Sequence, residues 1–139
     1  MENLYTAQAT VTGGGRNGHV TSADGILDVD VRMPKELGGP AGAHFNPELF
    51  FAAGYAACFD SALGAAGRIE KLPAFTSSTT AAVTIGKDAS GGFALAVTLT
   101  VEIPGMEKAA VEDLAHKAHQ LCPYSKATRN NIEVTIKVK

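Results

Sequence analysis

The 139-residue chain has no tryptophan, only two cysteines, and only 19% charged residues. Each shortage excludes something. Two thiols cannot hold together a disulfide-dense scaffold, and a chain of this length buries about two-thirds of its extended surface, enough to fold without staples or a structural metal. Twelve Lys and Arg against fourteen Asp and Glu leave a formal net charge of -2, with no basic run. A nucleic-acid or anionic-membrane surface therefore lacks its electrostatic footprint, and neither partner is expected. The opening residues, MENLYTAQAT, contain no basic segment followed by an apolar stretch, so no secretory signal is read there. The expectation is a cytoplasmic protein whose cysteines stay reduced, a setting in which thiols are more often reactive than structural. With 45% hydrophobic residues, 15 Gly and 6 Pro, what remains is an ordinary globular chain: one domain, residues 1–139, around one core.

Local patterns give the order of elements. Polar and apolar residues alternate from Leu4 to Thr12 and then meet Gly13-Gly14-Gly15, which reads as a strand entering a turn. Asn17-Gly18 suits the two positive-φ positions of a type I′ hairpin turn. Leu27, Val29, Val31 and Met33 alternate with Asp28, Asp30 and Arg32, so three antiparallel strands open the fold. Gly38-Gly39-Pro40-Ala41-Gly42 is a loop, and Asn46-Pro47-Glu48 carries the cap, the first-turn proline and the acidic residue of a helix start. From Leu49 to Gly67 that helix is apolar all round except for Asp60 and Ser61, which predicts a buried central helix rather than a membrane span, because Asp60 stands near its middle. Gly54, Gly64 and Gly67 would admit another helix at close range, and so imply a dimer. Strands near Thr76–Ile85 and Phe93–Ile103, a helix carrying Val111, Leu114, Ala115, Ala118 and Leu121, a short helix from Pro123, and a last strand through Ile132, Val134, Ile136 and Val138 complete an α+β chain with largely antiparallel pairing.

Few residues could carry chemistry. Cys58 lies in the central helix and Cys122 at the end of the next one, so the pair has no thioredoxin-type spacing. Taken alone, both read as core residues, since free cysteine packs like a small hydrophobe. As a nucleophile a thiol must ionise, and a buried one needs a cation to offset desolvation. Arg16 at the first hairpin and Glu48 at the helix start occupy positions where side chains usually face an opening, although by themselves they read as a solvated loop arginine and a helix-dipole carboxylate. His116, His119 and Cys122 form an H-x2-H-x2-C run, but no fourth metal ligand is apparent and exposed helix histidines are the plainer reading. His19 and His44 fall in loops that could border a site, and Ser61 and Ser125 show no base partner.

Four stretches, LYTAQATVTGGGRNGH, SADGILDVDVRMPKELGG, NPELFFAAGYAACF and CPYSKATRNNIEVTIKV, resemble the organic hydroperoxide resistance proteins, a thiol peroxidase group that also includes the osmotically induced proteins. The resemblance runs nearly end to end. It implies an intertwined homodimer in which antiparallel sheets pack around central buried helices, with Cys58 as peroxidatic cysteine, Cys122 as resolving cysteine, and Arg16 and Glu48 as their activating pair. It also implies organic hydroperoxide as substrate, a dithiol such as a lipoylated protein as reductant, and no bound cofactor or metal. The chain departs from the family pattern at Phe45, Leu49 and Phe50, where extra aromatic bulk would reshape a substrate entrance, and at Asp60, which would oppose a thiolate if turned inward. Phe50, Phe51, Tyr55 and Phe59 are expected in the core, and any that line the entrance would favour organic over hydrogen peroxide.

One spacing constrains the arrangement. On an unbroken helix, Glu48 and Cys58 would stand ~15 Å apart and on different faces. Either the helix bends near Gly54, or the Arg16 and Glu48 that serve one Cys58 come from the other subunit. The second is expected. The competing reading of the whole chain is a dimeric redox-sensing or ligand-binding module without turnover.

Overall fold

A computed structural model describes residues 1–139 as two compact units, Met1–Phe50 and Phe51–Lys139. The first is built on the antiparallel sheet that the alternation predicts. Strands β1 (Ala9–Thr12), β2 (His19–Ser22) and β3 (Asp28–Asp30) pair in that order, with Thr12 opposite His19 and His19 opposite Asp30. The strands are shorter than the alternation suggests, because the residues before Ala9 and after Asp30 find no ladder partner apart from an isolated bridge between Val31 and Phe45. The turn also differs. Gly13, Gly14 and Gly15 adopt the left-handed conformation and Gly15–Asn17 form a single 3-10 turn, so the bend is made before Asn17, whose side chain instead accepts from the amide of Met33. Gly18 is required for a different reason: a Cβ there would stand 2.2 Å from the carbonyl oxygen of Thr12. This unit has almost no core of its own. Val31 is buried, whereas all of β1 and the side chains of Leu4, Tyr5 and Ile26 are exposed.

Helix α1 (Pro47–Ile69) starts as the sequence predicts, with the Asn46 side chain accepting the amide of Leu49 at 2.9 Å. It is continuous through Gly54. By length and composition alone, this 23-residue helix would be long and apolar enough to cross a bilayer. Only one face is buried, however: Tyr55, Phe59, Ala62, Leu63, Ala66 and Gly67 enter the core, while Ala53, Ala57 and Ser61 remain exposed. The helix is therefore buried on one side rather than all round. Two of its glycines also serve another purpose than expected. A Cβ at Gly54 would lie 2.9 Å from the Tyr124 hydroxyl, and one at Gly67 would lie 2.5 Å from the Phe75 ring. The Tyr124 ring, carried on the short helix from Pro123, fills the gap at Gly54, and the Phe75 ring fills the one at Gly67.

The second unit has its own three-stranded sheet. Strand β4 (Ser78–Lys87) pairs antiparallel with β5 (Phe93–Glu102), and β5 pairs in parallel with β6 (Glu133–Val138). The expected antiparallel pairing thus fails at the last strand. Parallel neighbours need a crossover, and helices α2 (Lys108–Leu121) and α3 (Pro123–Thr128) supply it. The core forms where the buried face of β5, through Val97, Leu99 and Val101, meets Tyr55, Phe59 and Leu63 of α1 and Val111, Leu114 and Ala118 of α2. Burying such side chains is worth roughly 1.5–3 kcal/mol each before chain entropy is charged against it.

Candidate active site

Proline places one of the two sulfurs. Pro123 disfavours helical backbone at the residue before it, so Cys122 leaves the helical region with φ -65° and ψ 123° and occupies the elbow between α2 and α3. It closes α2 and caps α3 in one residue, its sulfur accepting the amide of Ser125 at 3.5 Å. Cys58 projects from α1 beside the buried Phe59. The Cys122 thiol points at Cys58, with the two sulfurs 3.5 Å apart. Both are free thiols, Cys122 fully buried and Cys58 half-buried. Two cysteines 64 positions apart in sequence are thus brought into direct sulfur–sulfur contact.

The environment of Cys58 does not favour its anion. Burial pushes the thiol above its ordinary value, the backbone amide of Tyr124 works against that shift, and the adjacent Cys122 pushes it further up. No cation of the second unit offsets this. Asp60 does not worsen it, because its carboxylate is turned to the hydroxyls of Ser77 at 2.8 Å and Thr79 at 2.9 Å.

In the first unit, Arg16 and Glu48 meet as a fork. Arg16 Nη2 donates to Glu48 Oε1 at 2.6 Å and Nη1 to Oε2 at 2.9 Å. The Glu48 side chain is 12% exposed and that of Arg16 36%. The hydrogen bonds from Arg16 hold the Glu48 carboxyl below its usual range against the opposing effect of burial. Such a pair fixes the guanidinium plane as well as its charge. Nearby in the first unit, Phe45 and Phe50 stack at 5.8 Å, so the added aromatics pair with each other while Leu49 stays exposed.

Several side chains lie elsewhere than the sequence suggests. Tyr55 and Phe59 are fully buried and line no entrance. His19 is clasped between the carboxylates of Asp30 at 2.7 Å and Asp28 at 2.6 Å, and His44 contacts the carbonyl of Ala41. His119 is not on an exposed helix face: its Nδ1 lies 2.8 Å from the hydroxyl of Ser125, which therefore has the imidazole partner that was not apparent from spacing. No group of three His, Cys, Asp or Glu side chains converges as metal ligands. The association of the buried hydroxyls of Tyr55, Ser125 and Thr128 has no spacing signature, since the first two stand 70 positions apart. The Ser three positions after Cys122, where a capping partner belongs, was the available signal.

Comparison with known proteins agrees over most of the chain. A family model described as OsmC-like protein matches residues 39–137. An organic hydroperoxide resistance protein of Xanthomonas axonopodis pv. citri is 50% identical over 135 residues, covering 96% of this chain and 93% of that one. Among solved structures, an organic hydroperoxide resistance protein from Elizabethkingia anophelis with thiocyanate bound superposes with a TM-score of 0.92 at 52% identity, covering 100% of this chain and 99% of that one. The organic hydroperoxide resistance protein OhrB of Bacillus subtilis gives a TM-score of 0.89 at 42% identity, over 99% of this chain and 100% of its own.

Proposed function

The chain belongs to the OsmC-like family, and on that premise we propose that it is a cysteine-based peroxidase that reduces organic hydroperoxides to alcohols. The observation that carries this reading is the pair of free sulfurs 3.5 Å apart, one half-buried and one fully buried. Cys58, as thiolate, attacks the distal oxygen of ROOH in line with the O–O bond. The alkoxide leaves and takes up a proton, and Cys58 becomes a sulfenic acid. Cys122 then condenses with it, forming a disulfide and releasing water, and an external dithiol restores both thiols. A lipoyl-bearing protein is the reductant we favour.

A thiol raised by burial cannot start this sequence unaided, so a cation must come to it. Arg16, aligned by Glu48, is that cation in our reading, and the second copy of the chain supplies it. Three features support a homodimer: α1 runs unbroken through Gly54, its Ala53, Ala57 and Ser61 face is exposed and small, and the first unit leaves its apolar side chains uncovered. Pairing of two chains would turn residues 1–139 into one working domain with an intertwined core.

The test is turnover. Purified protein supplied with dihydrolipoamide and cumene hydroperoxide is expected to consume many equivalents of peroxide, Cys58→Ser none, and Cys122→Ser far fewer before inactivation. Consumption of a single equivalent by the unaltered protein would establish the sensor reading instead.

A further inference from the structure

Behind Cys122 lies a closed polar chain that the mechanism above leaves unused. Ser125 and Tyr55 are fully buried and Thr128 is 5% exposed, so their hydroxyls must satisfy one another. Tyr55 Oη lies 2.9 Å from Ser125 Oγ and 3.1 Å from Thr128 Oγ1, and Ser125 Oγ lies 2.8 Å from His119 Nδ1. Counting protons orients the chain. Thr128 gives its own to the carbonyl of Ser125 at 3.2 Å and is left accepting from Tyr55. Burial, then the charges of Arg129 on the far end of α3 and His116 on α2, hold the His119 imidazole below its ordinary 6.5 and hence neutral at pH 7. Tyr55, its proton given to Thr128, accepts from Ser125, and a neutral ring with its proton on Nδ1 donates to Ser125 in turn. Arg129 also donates to the carbonyl of His119 at 2.6 Å, tying the end of α3 back to α2.

These contacts converge on the elbow that holds Cys122, from α1 through Tyr55, from α2 through His119 and from α3 through Ser125 and Thr128. Ser125 is the residue whose amide reaches the Cys122 sulfur. A purely structural elbow is made as well by apolar packing, whereas a saturated set of hydrogen bonds fixes direction as well as distance. We propose that His119, Ser125 and Tyr55 are positioning residues for disulfide closure, holding the Cys122 sulfur on Cys58 so that the oxidised cysteine is captured before a second hydroperoxide reaches it. This rests on the peroxidase reading. The step balances: Cys58–SOH and Cys122–SH become the disulfide and water, as the S–O bond breaks, the S–S bond forms, and the thiol proton departs with the hydroxide. The first equivalent of hydroperoxide is the sole oxidant.

The experiment separates the two steps. His119→Leu, Ser125→Ala and His119→Asn, which keeps a polar atom at the Nδ1 position, are mixed with one equivalent of cumene hydroperoxide in stopped flow. Alkylation and mass spectrometry then count disulfide and sulfinic acid. Expected are unchanged peroxide consumption in the first turnover, closure slowed about fivefold in the Leu and Ala variants, a matching rise in sulfinic acid as peroxide increases, and recovery in His119→Asn. Closure at the unaltered rate in both Leu and Ala variants overturns the proposal, as does an equal slowing of the peroxide step. If the unaltered protein left hydroperoxide intact, the peroxidase reading would fall by itself. Diamide, which couples neighbouring thiols through a sulfenyl hydrazine, would still decide the placement: slower coupling in the variants supports it and equal coupling overturns it.

Discussion

Replacing Arg16 by Lys keeps the charge and removes the fork. In the native pair both oxygens of Glu48 are taken, at 2.6 and 2.9 Å, and the carboxylate is 12% exposed. A lysine ammonium can satisfy one of those oxygens, leaving the other short of a partner on a largely buried carboxylate. An unsatisfied charged acceptor costs about 1–3 kcal/mol, and the partial exposure of Arg16 puts this case near the lower end. If the fork aligns the cation for Cys58, kcat/KM for hydroperoxide should fall about tenfold in Arg16→Lys and by at least about a hundredfold in Arg16→Ala, where the charge itself is gone. The acid limb of the pH–rate profile should move to higher pH in both, because a less well placed cation leaves the thiol harder to ionise. The assay is peroxide-dependent oxidation of dihydrolipoamide at fixed saturating dithiol, across pH. An Arg16→Lys enzyme at the unaltered rate would refute the role of fork geometry, and an Arg16→Ala enzyme with unshifted profile would refute the role of the charge.

Gly54→Ala should be tolerated and Gly67→Ala should not. The first gains about 1 kcal/mol of helix propensity and meets the movable tip of Tyr124, whereas the second drives a Cβ into the Phe75 ring, so thermal melts should rank Gly54→Ala above Gly67→Ala; the reverse order would contradict the packing. Leu99→Ala, at the centre of the core, should cost about 2–5 kcal/mol in urea denaturation, and a loss under about 1 kcal/mol would mean the sheet packs elsewhere. The His19 imidazole, between Asp30 and Asp28, should titrate above 6.5 by NMR, and Asp30→Asn should bring it back. A histidine raised in the fold contributes stability that is complete below its unfolded value and lost as pH rises through the raised one. An unshifted titration would show that the clasp does not form in solution.

How much of this was legible in the sequence divides along local and non-local lines. The cap at Asn46, the helix begun by Pro47, the alternation of β5 and the stripe of α2 are short-range patterns, and each produced its element. What failed was decided at a distance. Parallel pairing of β6 depends on a crossover that alternation cannot express, since a strand looks the same in either direction. Asn17-Gly18 lost its turn because three glycines upstream bend the chain first. Gly54 and Gly67 advertised room without saying for what. Cys58, Cys122, Arg16 and Glu48 were singled out through resemblance to a family, because no spacing relates them. His119 and Ser125 were passed over, because their link exists only once Pro123 has broken the helix between them.

In the proposed cycle, the unequal depth of the two sulfurs would set a direction for recharging. Cys122 is sealed at an elbow anchored on both sides, whereas Cys58 is half open. An incoming thiolate can therefore strike only the outer sulfur of the bridge, and the inner one must be the leaving group, expelled toward the waiting amide of Ser125. Any trapped mixed disulfide should accordingly carry its foreign half on Cys58.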